Sequence, residues 1–241
     1  MNYLALLAIL PLMACTVSAD ASDETGTPGS GTGNARSYAV ADFSSVSLRG
    51  SDDVDVRVGS AFSVRAEGAA DQLDQLVIDK KGDTLRIGRK SSNGINWGRG
   101  EKIRVYVTMP RIAEASVAGS GDLNVDRAEG STFSGSTAGS GDLKVAALAV
   151  ETATLRVAGS GTVSAAGTAS AINVKVAGSG DVDAQRLTAT SASVSVAGSG
   201  NVSAVVNGKA SVSIVGSGNV NLGPKAQCST SKTGSGSVTC G

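Results

Sequence analysis

The sequence predicts an all-β chain wound as a single parallel β-helix, with one turn of the coil every 18–20 residues. Three observations carry this. The tripeptide Gly-Ser-Gly recurs with its first glycine at 119, 139, 159, 178, 198, 216 and 234, in steps of 20, 20, 19, 20, 18 and 18. Apolar and polar residues alternate on both sides of each copy, the period of a strand with one buried face. The composition is glycine-rich (32 of 241 residues) and poor in aromatics (3%), with Ala, Val, Ser and Thr dominating. That mixture suits strands and tight turns rather than helices.

The alternation is regular enough to assign an inward face. Two, four and six residues before the first glycine stand Val117/Ala115/Ala113, Val157/Leu155/Ala153, Val176/Val174/Ile172, Val196/Val194/Ala192 and Ile214/Val212/Ala210. Four and six residues after it stand Leu123/Val125, Leu143/Val145, Val163/Ala165, Val182/Ala184, Val202/Ala204 and Val220/Leu222. The copy ending at Gly139 has Gly135 and Thr137 instead, and Phe133 is placed to fill the gap. One copy offers too few small side chains to bury a core alone, so each must stack on the next. The glycines then mark one corner of the coil. The crossover rule favours a right-handed coil. A left-handed hexapeptide helix also has about 18 residues per turn, but no six-residue apolar repeat is present.

Residues 1–14, MNYLALLAILPLMA, read as a signal peptide: the apolar run is too short to span a bilayer, which needs about 20 residues. Leu12-Met13-Ala14-Cys15 resembles a bacterial lipobox, which makes Cys15 the expected lipid-attachment residue of an exported lipoprotein. Val17-Ser18-Ala19 fits the alternative of ordinary signal-peptidase cleavage. Residues 15–37 are rich in Gly, Ser, Thr and Asp without apolar periodicity and read as a flexible tether.

Residues 38–112 hold 12 Lys/Arg and 10 Asp/Glu, against 8 and 8 in the longer segment 113–241. Strand-like runs fall at 45–48, 54–58, 62–67, 76–79, 84–89 and 102–108, and Gly50-Ser51 looks like a diverged corner. This part therefore reads as irregular first rungs that cap the regular repeats of 113–241. The motifs Asp42-Phe43-Ser44-Ser45-Val46, Val54-Asp55-Val56, Leu85-Arg86-Ile87 and Val105-Tyr106-Val107-Thr108-Met109-Pro110 precede the Gly-Ser-Gly copies. In that order they resemble the head GIN domain family of auto-transporter adhesins, over roughly residues 38–241. The resemblance implies an exported bacterial β-helix with an adhesive role and supplies no catalytic residues.

Few residues offer chemistry. Cys228 and Cys240 lie six before and six after Gly234, both inward, and are expected to form a disulfide closing the last rung; two buried free thiols are the alternative. The residue following each copy is Asp122, Asp142, Thr162, Asp181, Asn201, Asn219 or Ser237. Stacked at about 4.8 Å, Asp122 and Asp142 are the candidates for a Ca²⁺ site or an acid/base pair, whereas local turn hydrogen bonding explains the whole column and leaves no metal site expected. Trp97 and Arg99, in the loop 91–100, are candidate ligand contacts to a sugar ring or a protein; the alternative is Trp97 folded over the end of the coil.

Histidine is absent, which excludes histidine triads and histidine metal ligands. The 21 basic and 21 acidic residues balance, and no basic stripe with aromatics suggests nucleic acid. No phosphate loop, dinucleotide fingerprint, nucleophile elbow or C-x-x-C motif occurs. The expected protein is a cell-envelope binding or adhesin-like surface without enzymatic activity or cofactor, directed at a glycan or protein and touching membrane through its lipid anchor only. Outer-membrane lipoprotein is the expected location, and a secreted or soluble periplasmic form the alternative. A polysaccharide-active β-helix enzyme and a periplasmic structural scaffold are the competing functions.

Overall fold

A computed structural model describes residues 26–90 and 102–241. The chain begins with β1 (Gly29–Ser30) and β2 (Ala35–Tyr38), followed by β3 (Ser45–Gly50), β4 (Asp53–Val58) and β5 (Ser63–Glu67). A single helical turn, α1 (Ala70–Leu73), leads to β6 (Leu76–Lys81), β7 (Thr84–Arg89) and β8 (Arg104–Met109). The repeats supply β9 (Glu114–Gly119), β10 (Leu123–Val125), β11 (Ala128–Gly139), β12 (Leu143–Gly159), β13 (Thr162–Gly178) and β14 (Asp181–Gly198). The last are β15 (Val202–Val206), β16 (Lys209–Gly216), β17 (Asn219–Asn221), β18 (Gln227–Thr233) and β19 (Ser237–Thr239). Parallel stacking of these strands makes a β-solenoid of about six turns.

Inward residues form ladders because every rung repeats the register of its neighbour. One column runs Ile87, Leu48, Val117, Thr137, Val157, Val176, Val196, Ile214 and ends on Lys232. All but Lys232 are buried. Stacking buries Val on Val continuously, which no single rung could do. Phe133 lies buried against the space at Gly135 and compensates for the missing side chain. Thr137 has the size of valine, but its buried hydroxyl has no hydrogen-bond partner among the described residues. Ala113 is only half-buried, and the buried role at that point passes to Ile112. The middle rungs have three sides, exemplified by residues 143–145, 148–150 and 152–159, with register shifts at the second corner.

The N-terminal part differs from a simple stack of first rungs. The β3–β4 rung, with Gly50 in register with Gly119, lies second rather than first: it is flanked by β9–β10 on one side and β7–β8 on the other. The chain leaves the coil after β4 and returns antiparallel, with β5 on β8 and β6 on β7. These antiparallel strands cover an edge that would otherwise present unpaired backbone groups.

Residues 29–38, most of which the composition assigns to the tether, are also built into this cap. β2 pairs antiparallel with β5, β1 pairs with β2, and Tyr38 is buried. Their composition is polar, but the free edge of β5 supplies backbone partners that a polar strand satisfies as well as an apolar one.

At the other end, Cys228 and Cys240 are joined by a disulfide with Cα atoms 6.2 Å apart. Both are half-buried against the core. The inward residues between them include Thr230 and Lys232, so the last rung is polar where earlier rungs carry Val and Ile. The bond closes a short loop on the rung that has no following neighbour, and loops of this size stabilise by about 3 kcal/mol. Replacing both cysteines with alanine is expected to lower the stability of this rung by that order. Hydrogen exchange at β18 and β19 should accelerate while the middle rungs stay protected; unchanged protection would show that stacking alone holds the end.

Candidate binding surface

The N-terminal face is organised around a buried carboxylate. Asp52 follows the Gly50 corner, at the place that Gly121 takes one rung later, and its side chain is 1% exposed. It accepts hydrogen bonds from Arg89 Nε (2.8 Å), Arg89 Nη2 (2.5 Å) and the Ile103 backbone N–H (3.0 Å). Arg89 Nη1 donates to Gln72 Oε1 at 2.7 Å, which ties in α1. Hydrogen bonding to Asp52 raises the Arg89 pKa above its ordinary value against the opposing effect of burial, so the guanidinium stays charged. Asp52 thus fixes both ends of the segment between β7 and β8.

Above this base, β4, β8 and β5 present a row of charged side chains outward. Lys102 Nζ pairs with Asp53 at 3.0 Å and Arg104 Nη1 with Asp55 at 3.0 Å, while Asn124 Nδ2 donates to Asp55 at 3.1 Å. Arg65 Nη1 meets Glu67 at 2.6 Å. Hydrogen bonds donated to Asp53 and Asp55 raise the Lys102 and Arg104 pKa values, so both remain cationic across the physiological range. Exposed pairs contribute little to stability. Their effect is to hold the side chains around Tyr106, which is 37% exposed and lies in register between Asp55 and Arg65. Beside it an open groove of about 580 Å³ is lined by Thr32, Asn34, Arg65 and Glu67. An exposed aromatic face fringed by fixed donors and acceptors can stack on a sugar ring or anchor a protein loop. Tyr106 lies inside a family motif, and its outward position could have been counted from the alternation of β8.

The polar corner column connects rungs instead of bonding within its own turns. Asp142 Oδ1 accepts the Thr162 N–H at 2.8 Å, and Asp181 Oδ1 accepts Asn201 N–H at 2.7 Å and Asn201 Nδ2 at 3.0 Å. Asn201 Oδ1 receives Asn219 Nδ2 at 3.0 Å, and Asn219 Oδ1 receives the Ser237 hydroxyl at 2.7 Å. The residue types alone predict local turn bonding. The step to the next rung wins at these positions because parallel stacking brings the side-chain oxygens of Asp142, Asp181 and Asn219 over the following corner's N–H. Asp122 and Asp142 do lie on adjacent rungs, since Leu123 pairs with Leu143. Among the described residues no group of three or more His, Cys, Asp or Glu is placed to hold a metal. Cys15, Trp97 and Arg99 lie outside the described residues; the last two belong to the segment that joins β7 to β8.

A family model described as "Putative auto-transporter adhesin, head GIN domain" matches residues 42–224. Three solved structures share the fold. A putative adhesin from Bacteroides fragilis is 20% identical, with a TM-score of 0.77 over 88% of this chain and 98% of that one. A putative lipid binding protein from Parabacteroides distasonis is 24% identical, with a TM-score of 0.70 over 88% and 98%. A putative adhesin from Parabacteroides merdae is 16% identical, with a TM-score of 0.68 over 88% and 97%. None of the curated proteins compared matches the sequence.

Proposed function

Because the chain belongs to the head GIN domain family, we propose that it is an exported, adhesin-like binding protein, anchored to the outer membrane through a lipid on Cys15 and without catalytic activity. Its contact face is the outward surface around Tyr106, and its partner is a glycan or a protein on an apposed surface. The single observation that carries this reading is Tyr106 itself: an exposed aromatic ring held between Asp55 and Arg65 on a stacked sheet, next to an open polar groove. A preorganised platform of this kind loses little entropy on binding. The lipobox-like Leu12-Met13-Ala14-Cys15 supports the anchor. No helix among the described residues is long and apolar enough to cross a membrane.

The test has two arms. Protease added to intact cells should digest the wild-type protein, and Cys15→Ala should release it from the membrane fraction. In the second arm, Tyr106→Ala should keep its β-sheet spectrum and melting profile while binding to target cells or glycans weakens about tenfold or more. Protection of the wild type until lysis would overturn surface adhesion in favour of a periplasmic scaffold. Undiminished binding by Tyr106→Ala would remove this face from the account.

A further inference from the structure

We infer that a second contact site lies on the flat side of the solenoid, where Arg156 and Lys175 together bind an anionic group of an acidic polysaccharide: a sulfate, phosphate or carboxylate. The inference rests on the adhesive reading above and gives it a ligand class. Arg156 on β12 and Lys175 on β13 are exposed register partners on adjacent parallel strands. Strand spacing sets their backbones about 4.8 Å apart. Two like charges directly opposite each other weaken a sheet. Among the described residues no carboxylate forms an ion pair with either one. Arg156 donates instead to the neutral Ser134 hydroxyl at 3.4 Å. A bound anion between the two cations would turn the repulsion into two charge-assisted hydrogen bonds.

The surroundings select the rest of the ligand. In the same column, Ser136 and Ser195 flank the two cations, and Thr154 and Asn173 stand beside them in the next column. These short hydroxyl and amide groups leave the cations unshadowed and suit the hydroxyls of a sugar chain lying across the strands. The nearest acid in these columns, Glu114, is two strands from β12, about 10 Å away. A lipid surface would call for a cluster of about four to eight basic residues. Nucleic acid would require a longer cationic track that neutralises many phosphates. Two cations in a field of hydroxyls match neither.

Binding of the purified protein to immobilised dextran sulfate and to unsulfated dextran tests the site, over a range of NaCl concentrations. The wild type should bind dextran sulfate and not dextran, with an affinity that falls as salt rises. Arg156→Gln/Lys175→Gln should lose about tenfold or more. The charge-matched control Arg186→Gln/Lys225→Gln should bind as the wild type does. Dextran sulfate should also raise the melting temperature of the wild type and leave that of the double variant unmoved. Equal binding by the two double variants, equal binding to dextran, or binding confined to phosphatidylglycerol vesicles would each overturn the site. Whole-cell binding separates this from the adhesive reading. If the wild type adheres to cells but ignores dextran sulfate, the anion site falls and adhesion stands. If it holds dextran sulfate but adheres to no cell, the anion site stands and adhesion falls.

Discussion

Asp52→Ala is expected to loosen the N-terminal end of the solenoid by about 3 kcal/mol, toward the low end for a broken buried ion pair because Arg89 remains partly exposed. The change removes the acceptor for two Arg89 N–H groups and for the Ile103 amide in one step. The Ile103 N–H is buried, and its desolvation then goes uncompensated. A solenoid couples mainly to its nearest neighbours, so the loss should appear as a separate early transition and not as a uniform shift. Hydrogen exchange should rise in β7, β8 and the adjoining β5 while β12–β14 keep their protection. Asp52→Asn keeps the volume and one acceptor but loses the charge, and should fall between the two. The consequence reaches the binding face, because β8 carries Arg104 and Tyr106. If Asp52→Ala melts within about 0.5 kcal/mol of the wild type, the range of an ordinary surface change, the carboxylate is not the support described here.

The features legible in the sequence are those that repeat. The alternation around each Gly-Ser-Gly identifies the inward valines, and the matched positions of Cys228 and Cys240 bring them to facing sides of one rung. Phe133 could be assigned to the gap at Gly135 because it occupies the same place in its copy as Ala153 and Ile172. Features formed by distant segments left no local mark. The β3–β4 rung comes first along the chain yet second in the stack, since β7–β8 is inserted beyond it. Asp52 and Arg89 are 37 residues apart, and the sequence around Gly50-Ser51 reads as a diverged corner with no sign of a buried ion pair. The antiparallel cap, with β2 inside it, depends on the free edge of β5, which exists only when β5 has docked on β8. Arg156 and Lys175 are the opposite case. Each stands three residues before its corner glycine, so their adjacency follows from the repeat once outward positions are counted along with inward ones.

The corner glycines are where the repeat is least forgiving, and Gly159→Ala should be among the most damaging changes in the middle of the coil. Gly159 has φ of +122°, a conformation that side-chain-bearing residues rarely adopt. A Cβ there would also run into the carbonyl oxygen of Gly139. That oxygen accepts both the Ser160 N–H at 2.8 Å and the Gly161 N–H at 3.0 Å, so the methyl group displaces the two bonds that fasten one corner to the next. Strain of about 1–3 kcal/mol together with two weakened hydrogen bonds at about 1 kcal/mol each gives an expected loss of about 4 kcal/mol. For a chain of this length that is a fall in melting temperature of about 10 °C. Gly130→Ala separates the two causes. Gly130 has φ of +132°, but a methyl group added there would meet nothing within 4 Å, so it should lose only the strain part. Equal destabilisation by the two variants would mean that the corner yields and the stack is looser than its register implies. A larger loss at Gly159 would mean that the spacing between β11 and β12 is set at this corner, and with it the placement of Arg156, three residues upstream, over Ser136.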